Sequence, residues 1–228
     1  MNSLTPIEVP DRIERVPAAG IQSLRIDANI LGNLLLCFDA EYEIELAVSA
    51  ERHLQPAKLK REGSTLYYRA GNLWNYLFYH QSRPISVQLC LPRHIRVEAH
   101  FLAGVLTLQG GDGALIIHGG IGEVTGYTCA QHVDVRLRCG DISLSHLPAT
   151  AMLRVGIGAI SLDWAMLEGN ERIDAQCGLG GIDLYLPPGT AASNDQHHMW
   201  RHAHITSPQG SQINARLVFG GLAATMTH

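Results

Sequence analysis

Apolar and polar residues alternate along the middle of the chain, and a glycine recurs at a regular interval. Gly104, Gly122, Gly140 and Gly158 are each eighteen residues apart, and Gly180 follows after twenty-two. Apolar residues mostly occupy the seventh, fifth and third positions before each glycine, and the second and fourth positions after it. Alternation with a period of two is typical of strands that bury one face. Each unit therefore predicts two strands joined at a glycine corner.

A unit of constant length that repeats along a chain is typical of stacked coils. We therefore predict an all-β, single-domain β-solenoid, a parallel β-helix or roll-like stack of about 18-residue coils, with capping strands at both ends. The predicted domain spans 1–228. It comprises N-terminal capping strands and a first irregular coil over 20–94, regular coils over 95–186, and an insertion with the C-terminal cap over 187–228.

The same register assigns a direction to each side chain of the regular coils. Val135, Leu153 and Ile160 are expected to point into the core, while Arg136, Arg154 and Ser161 point outward. The glycine itself is expected at the corner between strands, where a positive φ or a close backbone approach excludes other residues.

Two shorter glycine rhythms compete with this interpretation. The stretch GGDGALIIHGGIGEVTG, Gly110–Gly126, contains GGxG twice, nine residues apart, as in calcium-binding β-rolls. Leu115 and Val124 stand where that motif needs an aspartate, so the carboxylate ligands are missing. Eighteen residues is also one coil of the left-handed hexapeptide helix, whose core phase Cys139 and Ile157 would fit. The third phase of that helix is polar or too large, and it stays an alternative.

Composition and charge exclude several classes of protein. The chain has 228 residues, 46% of them hydrophobic and 17% charged, which is typical of a folded domain. A net charge of −4 argues against a nucleic-acid partner. Because no eighteen consecutive residues are apolar, we predict no membrane span. The first residues contain no signal-peptide pattern, so the predicted location is cytoplasmic, with a surface location left open.

The five cysteines are odd in number and contain no CxxC motif. This pattern is typical of reduced thiols, and it indicates neither a disulfide framework nor a zinc site. No phosphate-binding loop, nucleophile elbow or dinucleotide fingerprint is present, and we predict no cofactor.

Several phrases together resemble a family of bacterial proteins called putative adhesins, whose function is unknown. They are GIQSLRI at Gly20–Ile26, the hairpin-like EGSTLYYR at Glu62–Arg69, VQLCLP at Val87–Pro92, and the glycine phrases GDISL at Gly140–Leu144 and GAISL at Gly158–Leu162. The resemblance covers about 20–219. It implies a β-solenoid with a binding or scaffolding role, and it supplies no catalytic residues.

Basic side chains share the outer face of the regular coils. They are His100, His118, Arg136, Arg154 and, two residues along one strand, Arg138. Asp134 and Asp174 on the same face compensate part of this charge. The pattern therefore predicts either a solvated, charge-balanced face or a docking strip for an acidic glycan or an acidic protein surface. The histidines are expected to strengthen such attraction as the pH falls through about 6.5.

The segment HHMWRHAH offers an alternative metal site. In an extended chain His198, His202 and His204 share one face, and His is a ligand for zinc. The competing interpretation is a solvated insertion in which nothing converges. We predict no bound metal.

An enzymatic role would need a pair of carboxylates on an exposed sheet. Asp141, Asp163 and Asp183 are outer-face candidates, but they occupy different positions relative to the glycine. The coils also lack the long loops that build a cleft. We therefore predict a non-enzymatic interaction or scaffolding module. The alternative is a carbohydrate-active or metal-dependent enzyme on a β-helix scaffold.

The phrase LWNYLFYHQ concentrates aromatic side chains. Trp74, Tyr76, Phe78 and Tyr79 are expected either to cap the open end of the stack or to form a homo-oligomer interface.

Overall fold

The computed structural model describes residues 10–49, 58–70, 86–147, 150–197, 200–207 and 210–226. The described residues form β-strands and no helix, so the predicted all-β class is confirmed. The strands are β1 Arg12–Pro17, β2 Ser23–Cys37, β3 Glu43–Ser49, β4 Lys58–Glu62, β5 Thr65–Ala70, β6 Ser86–Cys90, β7 Arg96–Gln109, β8 Leu115–Tyr127, β9 His132–Ser145, β10 Thr150–Asp163, β11 Arg172–Leu186, β12 Ala191–His197, β13 Trp200–Thr206 and β14 Gln212–Met226. None of these residues belongs to a helix that is long and apolar enough to cross a membrane.

All the described strands belong to one mixed, open sheet. Its order is β1-β3-β6-β2-β7-β8-β9-β10-β11-β14-β13-β12, and β5 pairs with both β2 and β4. The centre, from β2 through β7 to β11 and β14, is parallel. Both ends of the sheet contain antiparallel pairs. Parallel strands need a crossover between them, and here loops that follow each strand provide it.

The eighteen-residue spacing is the pairing register of the parallel strands. Gly104, Gly122, Gly140, Gly158 and Gly180 lie side by side on neighbouring strands. Gly140 has a φ of 126°, and a Cβ built on it would lie 1.7 Å from the carbonyl oxygen of Gly122. No residue with a side chain fits such an approach without moving the backbone.

The buried side of each strand changes at this glycine. In β10 the odd-numbered Leu153 and Val155 are buried before it, whereas the even-numbered Ile160 and Leu162 are buried after it. The two arms of the strand therefore face one core. The loops add to that core: Trp164 is buried and donates its indole N–H to the carbonyl of Leu147 at 3.1 Å.

The predicted side-chain directions are confirmed. Val135, Leu153 and Ile160 are buried, Arg136 is exposed, and Arg154 and Ser161 are half-buried. Leu115 and Val124, which stand at the aspartate positions of the calcium motif, are fully buried core residues. The nonapeptide rhythm therefore marks apolar core positions and not metal ligands.

The His-rich segment is not the loose insertion that one interpretation expected. β12 and β13 form an antiparallel hairpin, and β13 pairs with β14. Ala203 and Ile205 are buried, and His202 and His204 alternate with them on the other face. The same period of two that marked the regular strands was present in HAHI, but the density of histidines obscured it.

Candidate interaction surfaces

Four of the five predicted basic residues lie in one row across four neighbouring strands. His100 on β7 pairs with His118 on β8, His118 pairs with Arg136 on β9, and Arg136 pairs with Arg154 on β10. We call these four residues the basic row. Its neighbours are about 4.8 Å apart, which is the spacing of paired strands. Asp27 on β2 and Gln176 on β11 end the row.

Two members of the basic row contact acidic residues that lie two positions earlier on the same strands. Arg136 donates two hydrogen bonds to the Asp134 carboxylate, at 2.9 and 2.7 Å. The Nε2 atom of His100 lies 3.0 Å from Oε1 of Glu98. The pKa of Glu98 is lowered by its hydrogen bond to His100, and the pKa of Arg136 is raised by its hydrogen bond to Asp134. These charges are therefore balanced along each strand.

His118 and Arg154 are less well compensated. The Nε2 atom of His118 and the Nε atom of Arg154 are buried and find no hydrogen-bond partner among the described residues. Burial lowers the pKa of His118 below its ordinary value of 6.5, and the neighbouring His100 and Arg136 lower it further. The expectation that this histidine charges as the pH falls through about 6.5 is therefore wrong, because it charges at a lower pH.

Arg138 lies outside the basic row, beside the glycine corner of β9. Its side chain is exposed, and it immediately precedes Cys139. It places a positive charge next to a row of exposed apolar side chains that the sequence pattern did not predict.

An apolar ridge of exposed side chains runs along the glycine corner. It consists of Ile121, Ile157, Leu179 and Phe219, which are 51% to 61% exposed, with Cys139 between the first two. Each member pairs with the next one on the neighbouring strand. The ridge crosses five strands, which corresponds to a length of about 19 Å.

This ridge also decides against the hexapeptide helix. That fold would place Cys139 and Ile157 in the core, but Ile157 is more than half exposed. The recurrence of an apolar residue one position before each glycine was a usable signal. This apolar residue is exposed because the buried side of the strand changes at the corner. The sequence pattern alone does not reveal that change.

The histidines of β13 do not form a metal centre with other described residues. His202 pairs with Asp195 on β12 and with Arg216 on β14. His204 Nδ1 lies 2.7 Å from Oδ1 of Asn214. No group of three His, Cys, Asp or Glu side chains in the described part of the chain is placed to hold a metal ion. His198 lies outside the described residues.

The three aspartates considered for catalysis lie in three different rows. Asp141 pairs with Glu123, Asp163 with Ser145, and Asp183 with Ser161. The Oδ1 atom of Asp141 accepts a hydrogen bond from the backbone N–H of Ala159 at 2.8 Å, so it ties two strands together.

The aromatic cluster of Trp74, Tyr76, Phe78 and Tyr79 lies outside the described residues. Its assignment to a cap or to a homo-oligomer interface stays a prediction.

Comparison with known protein families finds no match, and comparison with curated proteins finds none. A crystal structure of a putative cell adhesion protein from Clostridium sporogenes ATCC 15579 aligns at 12% identity over 96% of each chain, with a TM-score of 0.45. This is a weak similarity of fold, and it does not bear on function. The described part of the chain is all-β and forms a single mixed sheet. Its resemblance to the putative-adhesin family stays a prediction.

Proposed function

We propose that this chain is a non-enzymatic interaction module whose apolar ridge binds a protein partner. The observation that carries the proposal is the exposure of Ile121, Ile157, Leu179 and Phe219 in one continuous row. Contiguous exposed apolar surface is costly in water and marks sites of association. A row of three branched aliphatic side chains and one phenylalanine suits an apolar strip on a protein.

The partner we propose carries acidic residues beside its apolar strip. Arg138 adjoins the ridge, and Arg136 and Arg154 lie further along the same strands on that side. Arginine pairs well with carboxylates because its planar fork can donate two parallel hydrogen bonds. The Arg136 fork is already bonded to Asp134, so Arg138 and Arg154 contribute most of the attraction.

The scaffold we propose is a β-solenoid. Backbone hydrogen bonds between successive loops support it: Cys129 N donates to the Gly111 carbonyl at 2.9 Å, and Thr150 N donates to the Gln131 carbonyl at 3.1 Å. Loops that follow one another in register give a rigid, regular surface, which suits an extended partner. The proposal includes no catalytic step.

The test compares the partners that are captured by the wild-type chain and by two variants. The ridge variant carries Ile121→Ser, Ile157→Ser and Leu179→Ser, and the basic variant carries Arg136→Ser, Arg138→Ser and Arg154→Ser. The matched control carries Ile13→Ser, Tyr42→Ser and Met166→Ser, which removes exposed apolar side chains elsewhere. Each purified candidate partner is then titrated against all four chains.

We expect the ridge variant to lose binding at least tenfold, and the basic variant to lose mainly the part that is sensitive to salt. The control should bind as the wild type does. Equal binding by ridge variant and wild type would contradict the proposal. A chain that binds an acidic polysaccharide through Arg138 and Arg154, with no effect of the ridge, would assign the surface to a glycan. Self-association that the ridge variant abolishes would assign it to a second copy.

A further inference from the structure

Two cysteines that are distant in the sequence meet on neighbouring strands. Cys37 ends β2 and Cys90 ends β6, and the two residues are register partners in a parallel pair. The preceding residues, Leu36 and Leu89, are fully buried in the core. Because side chains alternate along a strand, both thiols point to the opposite face of the sheet, side by side.

Two glutamines bracket this pair of thiols. The side-chain nitrogen of Gln88 lies 3.7 Å from Sγ of Cys37 and 3.5 Å from Sγ of Cys90, so one amide group bridges both sulfurs. On the other side, Sγ of Cys37 lies 3.5 Å from Oε1 of Gln109. The side-chain amide groups of both glutamines therefore contact the sulfur atoms.

We propose that Cys37 and Cys90 are a redox-active dithiol that forms a reversible disulfide by exchange with a small-molecule disulfide. Register partners on neighbouring strands are about 4.8 Å apart at Cα, which is within the range that a disulfide spans. Cys90 is the attacking thiol and Cys37 is the resolving thiol.

The exchange proceeds in two balanced steps. The Cys90 thiolate attacks one sulfur of the small disulfide, the S–S bond breaks, and one small thiolate leaves and takes up a proton. Cys37 then loses its proton and attacks Sγ of Cys90 in the mixed disulfide, which releases the second small thiolate. The two protein thiols are oxidised by two electrons, and the small disulfide is reduced to two thiols.

The environment favours these roles. A hydrogen bond from Cys37 lowers the pKa of Cys90 to about 7, and Gln88 adds to this effect against the opposing effect of burial. The same shared hydrogen bond raises the pKa of Cys37, as does its burial. Cys90 is half-buried, and Cys37 lines a cavity of about 250 Å³ together with Asp39, Arg93 and Cys129. The partial exposure of Cys90 gives a small disulfide access to the attacking thiol.

The test incubates the native chain in buffers of oxidised and reduced glutathione, quenches it with acid, alkylates free thiols and maps the peptides by mass spectrometry. We expect the wild type to yield a Cys37–Cys90 linkage that dithiothreitol reverses. Cys37→Ser should accumulate a glutathione adduct on Cys90, because no resolving thiol is present. Cys129→Ser, which removes the exposed thiol of the same cavity, should behave as the wild type does.

A second readout separates the proposal from simple proximity. The rate at which Cys90 reacts with iodoacetamide should rise with pH to a half-maximum near pH 7. In Cys37→Ala, which leaves no hydrogen-bond donor at this position, the half-maximum should move toward the ordinary value of about 8.5. A wild-type chain that keeps a stable adduct on Cys90, links Cys37 to Cys129 or titrates near the ordinary value would overturn the proposal.

Discussion

The inner and outer faces of β7 to β11 belong to the same strands but follow different rules. On the inner face, apolar side chains of neighbouring strands lie side by side, as Val135 and Leu153 do. Most inner-face positions of these strands are apolar. On the outer face, charges are answered along one strand, as Asp134 answers Arg136. The inner rows therefore pack the strands against one another, whereas the ion pair of Asp134 and Arg136 on the outer face stays within one strand.

This difference teaches where function can lie. A change on the inner face alters packing with both neighbouring strands, so it costs stability. A change on the outer face alters an exposed ion pair, which contributes little to folding. The apolar ridge departs from this rule, because it places a continuous row of core-like side chains on the outer face.

The largest loss of stability is expected when a charged residue, typical of the outer face, replaces an apolar residue on the inner face. Leu153→Asp buries an unpaired carboxylate among apolar side chains, and we expect a loss of about 4 kcal/mol or more in the free energy of unfolding. Thr150→Asp on the same strand is the control, since Thr150 is exposed and pairs with His132 and Arg172. Urea unfolding measures both. Equal midpoints for the two variants would mean that the register is wrong.

The glycine corner, where the buried side changes, is the next test. In Gly140→Ala the new Cβ would lie 1.7 Å from the carbonyl oxygen of Gly122, at a φ of 126°. We expect a loss of about 3 kcal/mol, because the backbone of two strands must move. Gly221→Ala is the matched control, since a Cβ there meets no atom within 4 Å. Thermal unfolding that ranks the two variants in the opposite order would contradict the account of the corner.

The buried carboxylate of Glu171 is a further test of the comparison, because a buried charge is tolerated only when it is fully hydrogen-bonded. Glu171 is 1% exposed, and its carboxylate accepts hydrogen bonds from the Glu168 and Gly169 N–H groups and from the Ser211 hydroxyl. Burial acts to raise the pKa of Glu171, but these hydrogen bonds outweigh burial and hold it below the ordinary 4.5.

Glu171→Gln should cost about 2 kcal/mol at pH 7, because the amide cannot accept all of these bonds. A depressed carboxylate pKa means that this stabilisation is present above about pH 4.5 and is lost as the pH falls through the lower folded value. Urea midpoints of wild type and variant should therefore converge in acid. Glu168→Gln, an exposed position, serves as control. A gap between wild type and Glu171→Gln that does not narrow in acid would contradict the assignment.

The smallest expected effect concerns the outer face. The pKa of His118 is lowered by burial and by His100 and Arg136, against smaller opposing effects of Asp134 and Glu98. The unfolded chain therefore binds a proton at this histidine before the folded chain does, and stability should fall as the pH drops below 6.5. His118→Gln should flatten this part of the stability profile between pH 7 and 5. An unchanged slope would show that His118 titrates normally.

The sequence by itself determined the all-β class and the register of strands β7 to β11. Alternation is a local property, since consecutive side chains of a strand point to opposite faces. The glycine spacing was equally readable, because only glycine tolerates the close approach at Gly140. The row of His100, His118, Arg136 and Arg154 followed directly from that spacing.

Only the tertiary structure decided which apolar residues are buried and which are exposed. The apolar residue before each glycine has the same composition as a core position, and only the change of buried side at the corner exposes Ile157 and leaves Ile160 fully buried. The thiol pair was invisible for a different reason. Cys37 and Cys90 meet only because β6 returns to pair with the second half of β2, outside the eighteen-residue spacing. Long-range pairing of that kind depends on how the whole chain packs, and no local pattern encodes it.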